Sequence, residues 1–181
     1  LLCLSATLSI AQTPFFQQYH PLKKNQAVQV NTFLQDRKGY VWLGTDKGLF
    51  RFDGVDFKHY TTQENLPDDN VTALAEDSVG RIWIGHSTGL ISILDHETIS
   101  AFETREGSAV EPVSDIMFDQ FGTMWFSTKN DGLYYFVKDR LHRVDEEEGL
   151  PDLFIYDLYE DPSGNVWAGT DAGIAVCSLV D

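Results

Sequence analysis

The strongest constraint on the fold is a ten-residue stretch that the chain contains four times. It reads DRKGYVWLGT from Asp36, DSVGRIWIGH from Asp77, DQFGTMWFST from Asp119 and DPSGNVWAGT from Asp161. The copies start 41, 42 and 42 residues apart. All four tryptophans of the protein share one column of this alignment, at Trp42, Trp83, Trp125 and Trp167. Scattered tryptophans would almost never do so, and the chain is therefore a tandem array of one structural unit.

Each copy has the chemistry of a β-hairpin. The Asp at its first position suits the start of a tight turn, and a Gly at its fourth position suits a left-handed residue that closes the turn. These glycines are Gly39, Gly80, Gly122 and Gly164. The strand that follows carries the Trp and ends at a small residue. We therefore interpret the Asp and Gly columns as structural turn residues, and the Trp column as core packing between units.

Apolar positions on both sides of the motif extend the unit to four antiparallel strands. One strand precedes each Asp, a Gly-Leu or Gly-Ile pair leads a third strand, and a fourth carries paired apolar residues such as Phe57 and Tyr60. Four strands in about 42 residues are the size of a β-propeller blade. We predict an all-β chain with four blades at about 26–61, 62–103, 104–145 and 146–181, the last without its fourth strand.

The opening segment is predicted to contribute one further strand. Residues 15–20 match the fourth-strand pattern, although no first three strands precede them. In a propeller such a strand closes the ring. It could complete a four-bladed ring, but we favour a fragment of a larger ring, because the sequence looks clipped at its start and stops abruptly at Val180 and Asp181. An open arc of four blades would leave two sheet faces bare.

The composition of the chain limits the classes of partner and the cellular compartment that we expect. With 13 basic and 28 acidic residues the net charge is −15, which argues against a nucleic acid or an anionic membrane as partner. Residues 1–11 have the small and apolar composition of a secretory signal remnant, which leaves 12–181 for the propeller. The histidines have no metal-ligand spacing, and nothing indicates a cofactor. Cys177 is predicted to be a buried filler.

The pattern V-x-x-[FLI]-x-x-D-x-x-G-x-x-W-[LIF]-G-T, followed by Gly-Leu and an aromatic strand, resembles the two-component regulator propeller repeat over residues 15–181. The resemblance implies a seven-bladed propeller in the periplasmic part of a sensor of Bacteroidetes-type bacteria. It also implies an oligosaccharide or other small-molecule ligand, no chemistry in the propeller itself, a homodimer of the full-length sensor, tethering to the inner membrane and a histidine kinase beyond this segment.

Two other function classes remain open from the sequence. The first is a secreted propeller that serves as a protein-interaction platform without a kinase. The second is an enzyme, because DQFGTMWFST also resembles blades of the streptogramin lyase propellers; it would need His86 as general base and Asp46 or Asp131 as acid. No serine elbow, phosphate loop or helical His pair supports an enzyme, and we predict that this segment is not one.

The ligand site is predicted from the topology. Antiparallel strands place the second-to-third turns and the connections between blades on one face. This face varies between repeats, and variable loops on a rigid scaffold usually carry binding. His86 replaces the Thr of the other repeats, a departure that fits either drift or specificity; we expect it to face the central mouth and His86→Ala to change stability little. The candidate ligand-binding residues are His86, Lys129, Asn130, Asp46, Lys47 and Asp171.

Overall fold

The fold is described by a computed structural model for residues 15–22, 26–103, 109 and 111–178. Within these residues, fifteen β-strands form four antiparallel sheets, and the helical structure is one 3-10 turn, Thr62–Glu64. The prediction of an all-β propeller is confirmed. The predicted signal remnant at 1–11 lies outside the described residues. No helix in the described part of the chain could cross a membrane.

The strands follow one another in chain order within each blade. Blade 1 contains β1 (Val30–Gln35), β2 (Val41–Thr45), β3 (Gly48–Phe52) and β4 (Phe57–Tyr60). Blade 2 contains β5 (Val71–Glu76), β6 (Ile82–His86), β7 (Ile91–Asp95) and β8 (Thr98–Ala101). Blade 3 contains β9 (Val113–Phe118), β10 (Met124–Thr128), β11 (Leu133–Val137) and β12 (Arg140–Val144). Blade 4 contains β13 (Ile155–Glu160), β14 (Val166–Thr170) and β15 (Gly173–Cys177).

The hydrophobic core lies between the blades. The inner strand of each blade packs on that of the next, so that β1 contacts β5, β5 contacts β9 and β9 contacts β13. Three buried clusters fill these spaces, and each contains the Trp of the preceding blade: Trp42, Trp83 and Trp125. The interpretation of the Trp column as packing between units is confirmed at these three interfaces.

The small residue after each Trp allows the next blade to approach. A Cβ atom added at Gly44 would lie 2.7 Å from Val71 Cγ1 of the next blade and 2.6 Å from Thr32 Cγ2 of its own, and one added at Gly85 would lie 2.6 Å from Val113 Cγ1. All of these distances are too short for carbon atoms in contact. The Gly of one blade is therefore required by the Val that opens the inner strand of the following blade.

The first and last blades leave the equivalent faces open. Phe33 on β1 is 77% exposed, and Tyr159 on β13 and Ile174 on β15 are 61% and 67% exposed. The same faces of blades 2 and 3 are buried by their neighbours. The four described blades thus form an arc with two exposed apolar ends.

The predicted closing strand at residues 15–20 is not formed in this structure. Phe15 and Phe16 are 88% and 82% exposed, and the segment belongs to no sheet. The Tyr19 ring instead lies against Phe52 of blade 1, with 4.9 Å between ring centroids. A strand exists only where a neighbour accepts its hydrogen bonds, and no described strand pairs with this segment.

Candidate functional site

The Asp of each repeat joins its turn to the core. Its Oδ1 accepts hydrogen bonds from the backbone N–H groups two and four residues later, as Asp77 does from Val79 and Arg81. Its Oδ2 accepts a hydrogen bond from the indole Nε1–H of the Trp six residues later. These bonds are 2.8, 3.0, 2.9 and 2.9 Å long in blades 1 to 4, between Asp36 and Trp42, Asp77 and Trp83, Asp119 and Trp125, and Asp161 and Trp167.

In blades 2 and 4 these bonds favour the ionised form of the carboxylate. Hydrogen bonds from the side chains of Asn165 and Trp167 hold the pKa of Asp161 well below its ordinary value. Burial opposes ionisation at Asp77, but the hydrogen bonds from Trp83 and Arg81 outweigh it and lower the pKa. The face that carries these turns, called the hairpin face below, is therefore a structural frame.

A groove of about 670 Å³ opens at the centre of the arc, on the opposite side from the hairpin face. It is lined by the start of the inner strand of all four blades and by the turns and connections beside those starts. We call this side, which carries the second-to-third turns and the blade connections, the groove face. The volume lies within the range of pockets that hold small ligands.

One bulge residue from each blade lines this groove. In blade 1, Val30 pairs with Thr45 and Thr32 with Gly44, so that the residue between them has no partner in the register. The same shift occurs in the other three blades. A bulge re-aims the side chain of the extra residue. The four bulge residues, Asn31, Thr72, Ser114 and Tyr156, all line the groove.

Hydrogen bonds orient three of these four side chains. Asn31 Nδ2 donates to Val71 O at 2.8 Å and to Asn70 Oδ1 at 3.1 Å, both across the junction with blade 2. Ser114 and Ser127 share a hydrogen bond of 2.9 Å between their Oγ atoms. Tyr156 OH donates to Asp171 Oδ1. The groove therefore presents polar groups on a fixed scaffold, with an amide, hydroxyls and a phenol among them.

The fourth bulge residue, Thr72, has a buried Oγ1 with no hydrogen-bond partner among the described residues. An unsatisfied buried polar group destabilises a fold, and an apolar group of the same shape does not. We expect Thr72→Val to raise the free energy of unfolding by about 1 kcal/mol in denaturant titrations. The matched control is Ser114→Ala, which removes a hydroxyl that has a hydrogen-bond partner and should therefore lower the free energy of unfolding. A loss of stability in Thr72→Val would contradict the unsatisfied state of this hydroxyl.

Two of the six predicted ligand-binding residues line the groove, namely Asp46 and Lys129. Asp46 Oδ1 accepts a hydrogen bond from the Gln29 N–H at 2.9 Å, and Asp46 Oδ2 lies 3.7 Å from Lys47 Nζ. Asp171 is connected to the groove through Tyr156. Lys47 and Asn130 are exposed beside the groove without lining it.

His86 lies elsewhere than predicted. It is fully buried, and its Nε2 lies 2.8 Å from Ser92 Oγ inside blade 2. Burial lowers its pKa to about 4, against the partial opposition of Asp68, and the ring is therefore neutral at neutral pH. The prediction that it faces the central mouth is wrong. It follows that His86→Ala would leave a cavity, and that the general base of the lyase interpretation does not reach the groove.

The register explains why this position is internal. The three equivalent residues, Thr45, Thr128 and Thr170, donate from Oγ1 to the carbonyl oxygen of the Gly that opens the third strand, at 2.7, 3.0 and 2.9 Å. The column therefore holds the second-to-third turn from inside the blade. His86 is internal as well, but its side chain contacts the Ser92 hydroxyl of β7 and not the turn carbonyl.

A pair of carboxyl groups joins blades 3 and 4, and sequence reasoning missed it. Asp115 Oδ2 accepts a hydrogen bond from the Leu158 N–H at 2.8 Å. Burial and the adjacent Asp157 raise the pKa of Asp115 to about 7. The only sequence signal was an Asp at the same column of repeats three and four, where repeats one and two have Thr32 and Ala73.

Comparison with known proteins matches three of the four repeats to a described family. Residues 25–47, 65–88 and 149–172 match the family described as two component regulator propeller. These segments fall in the first, second and fourth repeats; in the third repeat, Ser127 stands where the others have Gly. The sequence-based identification of the repeat is confirmed. No curated protein matches the chain.

Solved structures share the fold. The extracellular domain of a hybrid two component system from B. thetaiotaomicron is 32% identical, with a TM-score of 0.77 over 87% of this chain and 22% of that one. The extracellular domain of a one component system from the same organism is 24% identical, with a TM-score of 0.71 over 84% and 21%. Virginiamycin B lyase from Staphylococcus aureus is 16% identical, with a TM-score of 0.66 over 90% and 59%. The chain spans about a fifth of the two extracellular domains.

Proposed function

Because the repeats of this chain are two-component regulator propeller repeats, we propose that it is a ligand-sensing propeller segment of an extracytoplasmic signal-transduction sensor. The extracellular origin of the similar domain at 32% identity supports this compartment. The rest of the sensor is inferred by analogy: a homodimer tethered to the inner membrane, in which bound ligand shifts a conformational equilibrium that a histidine kinase reads.

The bulge column carries the proposal. The Asp, Gly and Trp positions repeat in every blade and hold the frame, whereas the bulge position holds a different residue in each blade. All four bulge side chains meet in one groove. A constant frame that brings variable side chains together is the arrangement expected of a binding module.

The chemistry of the groove favours a polyhydroxylated ligand. Its polar groups include the Asn31 amide, the Ser87 and Ser114 hydroxyls and the Asp46 carboxylate, and the Tyr156 ring adds an aromatic surface. An oligosaccharide presents hydroxyl groups that can donate to and accept from such groups, and apolar ring faces that pack on an aromatic side chain. We therefore propose an oligosaccharide as the ligand.

Exposed apolar residues on the hairpin face favour a second candidate, a protein-interaction platform. Val79 and Phe121 occupy the same position of the Asp-to-Gly turn in blades 2 and 3 and are 74% and 82% exposed. Val55, at the turn between β3 and β4, is 81% exposed on the same face. This candidate needs the hairpin face and not the groove, and variants of the two faces separate it from ligand sensing.

A thermal-shift screen against neutral and acidic oligosaccharides tests the ligand proposal. A ligand present at about 100 times its Kd stabilises a fold by about 2.7 kcal/mol and should raise the Tm. We expect at least one oligosaccharide to raise the Tm, and Asn31→Ala to abolish the shift. His96→Ala, which changes an exposed residue of the β7–β8 turn, should retain it. Cooperative melting without a shift by any oligosaccharide would contradict the proposal.

A further inference from the structure

One lysine of the groove face has no acidic partner among the described residues. The structure describes ten lysine and arginine residues, and six of them form ion pairs with carboxylates. Of the four others, Lys38, Lys138 and Arg140 belong to the β1–β2 and β11–β12 hairpins on the hairpin face. Lys129 is therefore the one cation of the described groove face without an acidic partner.

The backbone of Lys129 is fixed by both neighbouring connections. Its N–H donates to the Pro112 carbonyl oxygen at 2.9 Å, and it forms an antiparallel bridge with Phe154 at the start of blade 4. The residue thus occupies a defined place in the wall of the groove, between blades 3 and 4. Its side chain is exposed to solvent.

The acidic residue that lines the groove, Asp46 of blade 1, does not neutralise this charge. Asp46 receives the Gln29 N–H and the Lys47 ammonium group, and it forms no ion pair with Lys129. Asp171, at the rim, accepts the hydrogen bond from Tyr156. An unpaired positive charge thus lies in the groove of a protein whose net charge is −15.

We propose that the groove binds an acidic sugar whose carboxylate pairs with the Lys129 ammonium group, while the bulge residues other than Thr72 contact its hydroxyls. The inference rests on the proposed function and specifies its ligand class. The acidic surface repels anions in general, so that selection of an anionic ligand requires a specific cation at the site. A charge-assisted hydrogen bond supplies that selection, because it is stronger than a bond between neutral groups.

The experiment compares charged ligands with neutral ligands of the same shape. Uronic acid trisaccharides, built from galacturonate, mannuronate or glucuronate, are titrated into the protein by calorimetry beside their methyl esters, which keep every hydroxyl and lose the charge. We expect at least one acid to bind about tenfold to a hundredfold more tightly than its ester. This preference should weaken as salt is added.

Lys129→Met should remove the preference for the acid and leave binding of the ester unchanged, and Lys129→Arg should restore it. Lys38→Met is the matched control, because it removes the same charge at an exposed lysine of the hairpin face that has no ion pair and does not line the groove. Equal binding of acid and ester, or a preference that survives in Lys129→Met, would overturn the inference and leave the oligosaccharide sensor in place. Binding of neutral oligosaccharides alone would also overturn the inference and leave the oligosaccharide sensor in place. No binding of any oligosaccharide would overturn both the inference and the proposed oligosaccharide sensor.

Discussion

Replacing Trp83 with Ala is expected to lower the free energy of unfolding by about 3 to 5 kcal/mol, the range for truncation of a buried aromatic residue. Trp83 is 5% exposed and fills the space between blades 2 and 3. Its ring meets Phe102 and Phe118 edge to face, with 4.9 and 5.4 Å between ring centroids. The truncation would remove these contacts and leave a cavity. The neighbouring strands cannot move to fill it, because hydrogen bonds hold them within their own blades.

Denaturant titration of Trp83→Ala beside Trp167→Ala measures this effect with a matched substitution. Trp167 makes the same hydrogen bond to the Asp of its own turn, at 2.9 Å, but it lies on the last described blade, where no following blade covers it. Trp167→Ala should therefore lower the free energy of unfolding clearly less than Trp83→Ala does. Equal losses in the two variants would show that the tryptophans act within their own blades and not between blades.

The hydrogen bond between Asp and Trp explains why both columns are kept in all four repeats. The Asp fixes the turn through Oδ1 and the indole through Oδ2, so that the orientation of the ring depends on the turn. The ring in turn packs against the next blade in the three interfaces of the arc. A change at the Asp would thus disturb a contact between blades as well as a local turn.

The sequence predicts the frame well because the frame is periodic. Spacing along the chain is enough to align Asp, Gly and Trp, and elementary turn chemistry then predicts the hairpins. The groove is harder to predict, because a bulge occurs at the same place in every repeat and leaves the spacing unchanged. Asn31 and Tyr156 therefore look like ordinary inner-strand residues in the sequence, although the bulge turns them into the groove.

Two buried groups show a different limit of sequence reasoning. His86 stands beside a turn, where polar residues are usually exposed, but its column is the one whose Thr residues hold the turn from inside. Asp115 acquires its environment from Leu158, which is 43 residues away in the chain. Neither environment follows from local pattern, since each depends on which side chains the neighbouring strands bring close.

These two groups are expected to give the folding stability opposite dependences on pH. Burial lowers the pKa of His86 from 6.5 to about 4, so that between these values the unfolded chain binds a proton that the fold excludes. The contribution of neutral His86 to the free energy of unfolding therefore falls by about 3 kcal/mol as the pH falls from 6.5 to 4. Burial and Asp157 raise the pKa of Asp115 from 3.8 to about 7, so that its contribution falls as the pH rises through that range.

Single variants should separate two contributions that oppose each other in the wild-type protein. His86→Gln, which can keep a hydrogen bond to Ser92, should give a protein that loses stability as the pH rises from 4 to 7, because the Asp115 contribution is then unopposed. Asp115→Asn should show the reverse, with a loss as the pH falls from 6.5 to 4. Urea titrations across this range measure both slopes, with His96→Gln as the control because the side chain of His96 is 88% exposed. If His86→Gln and His96→Gln gave the same profile, His86 would not be held neutral by the fold, and the burial that separates it from the groove would be wrong.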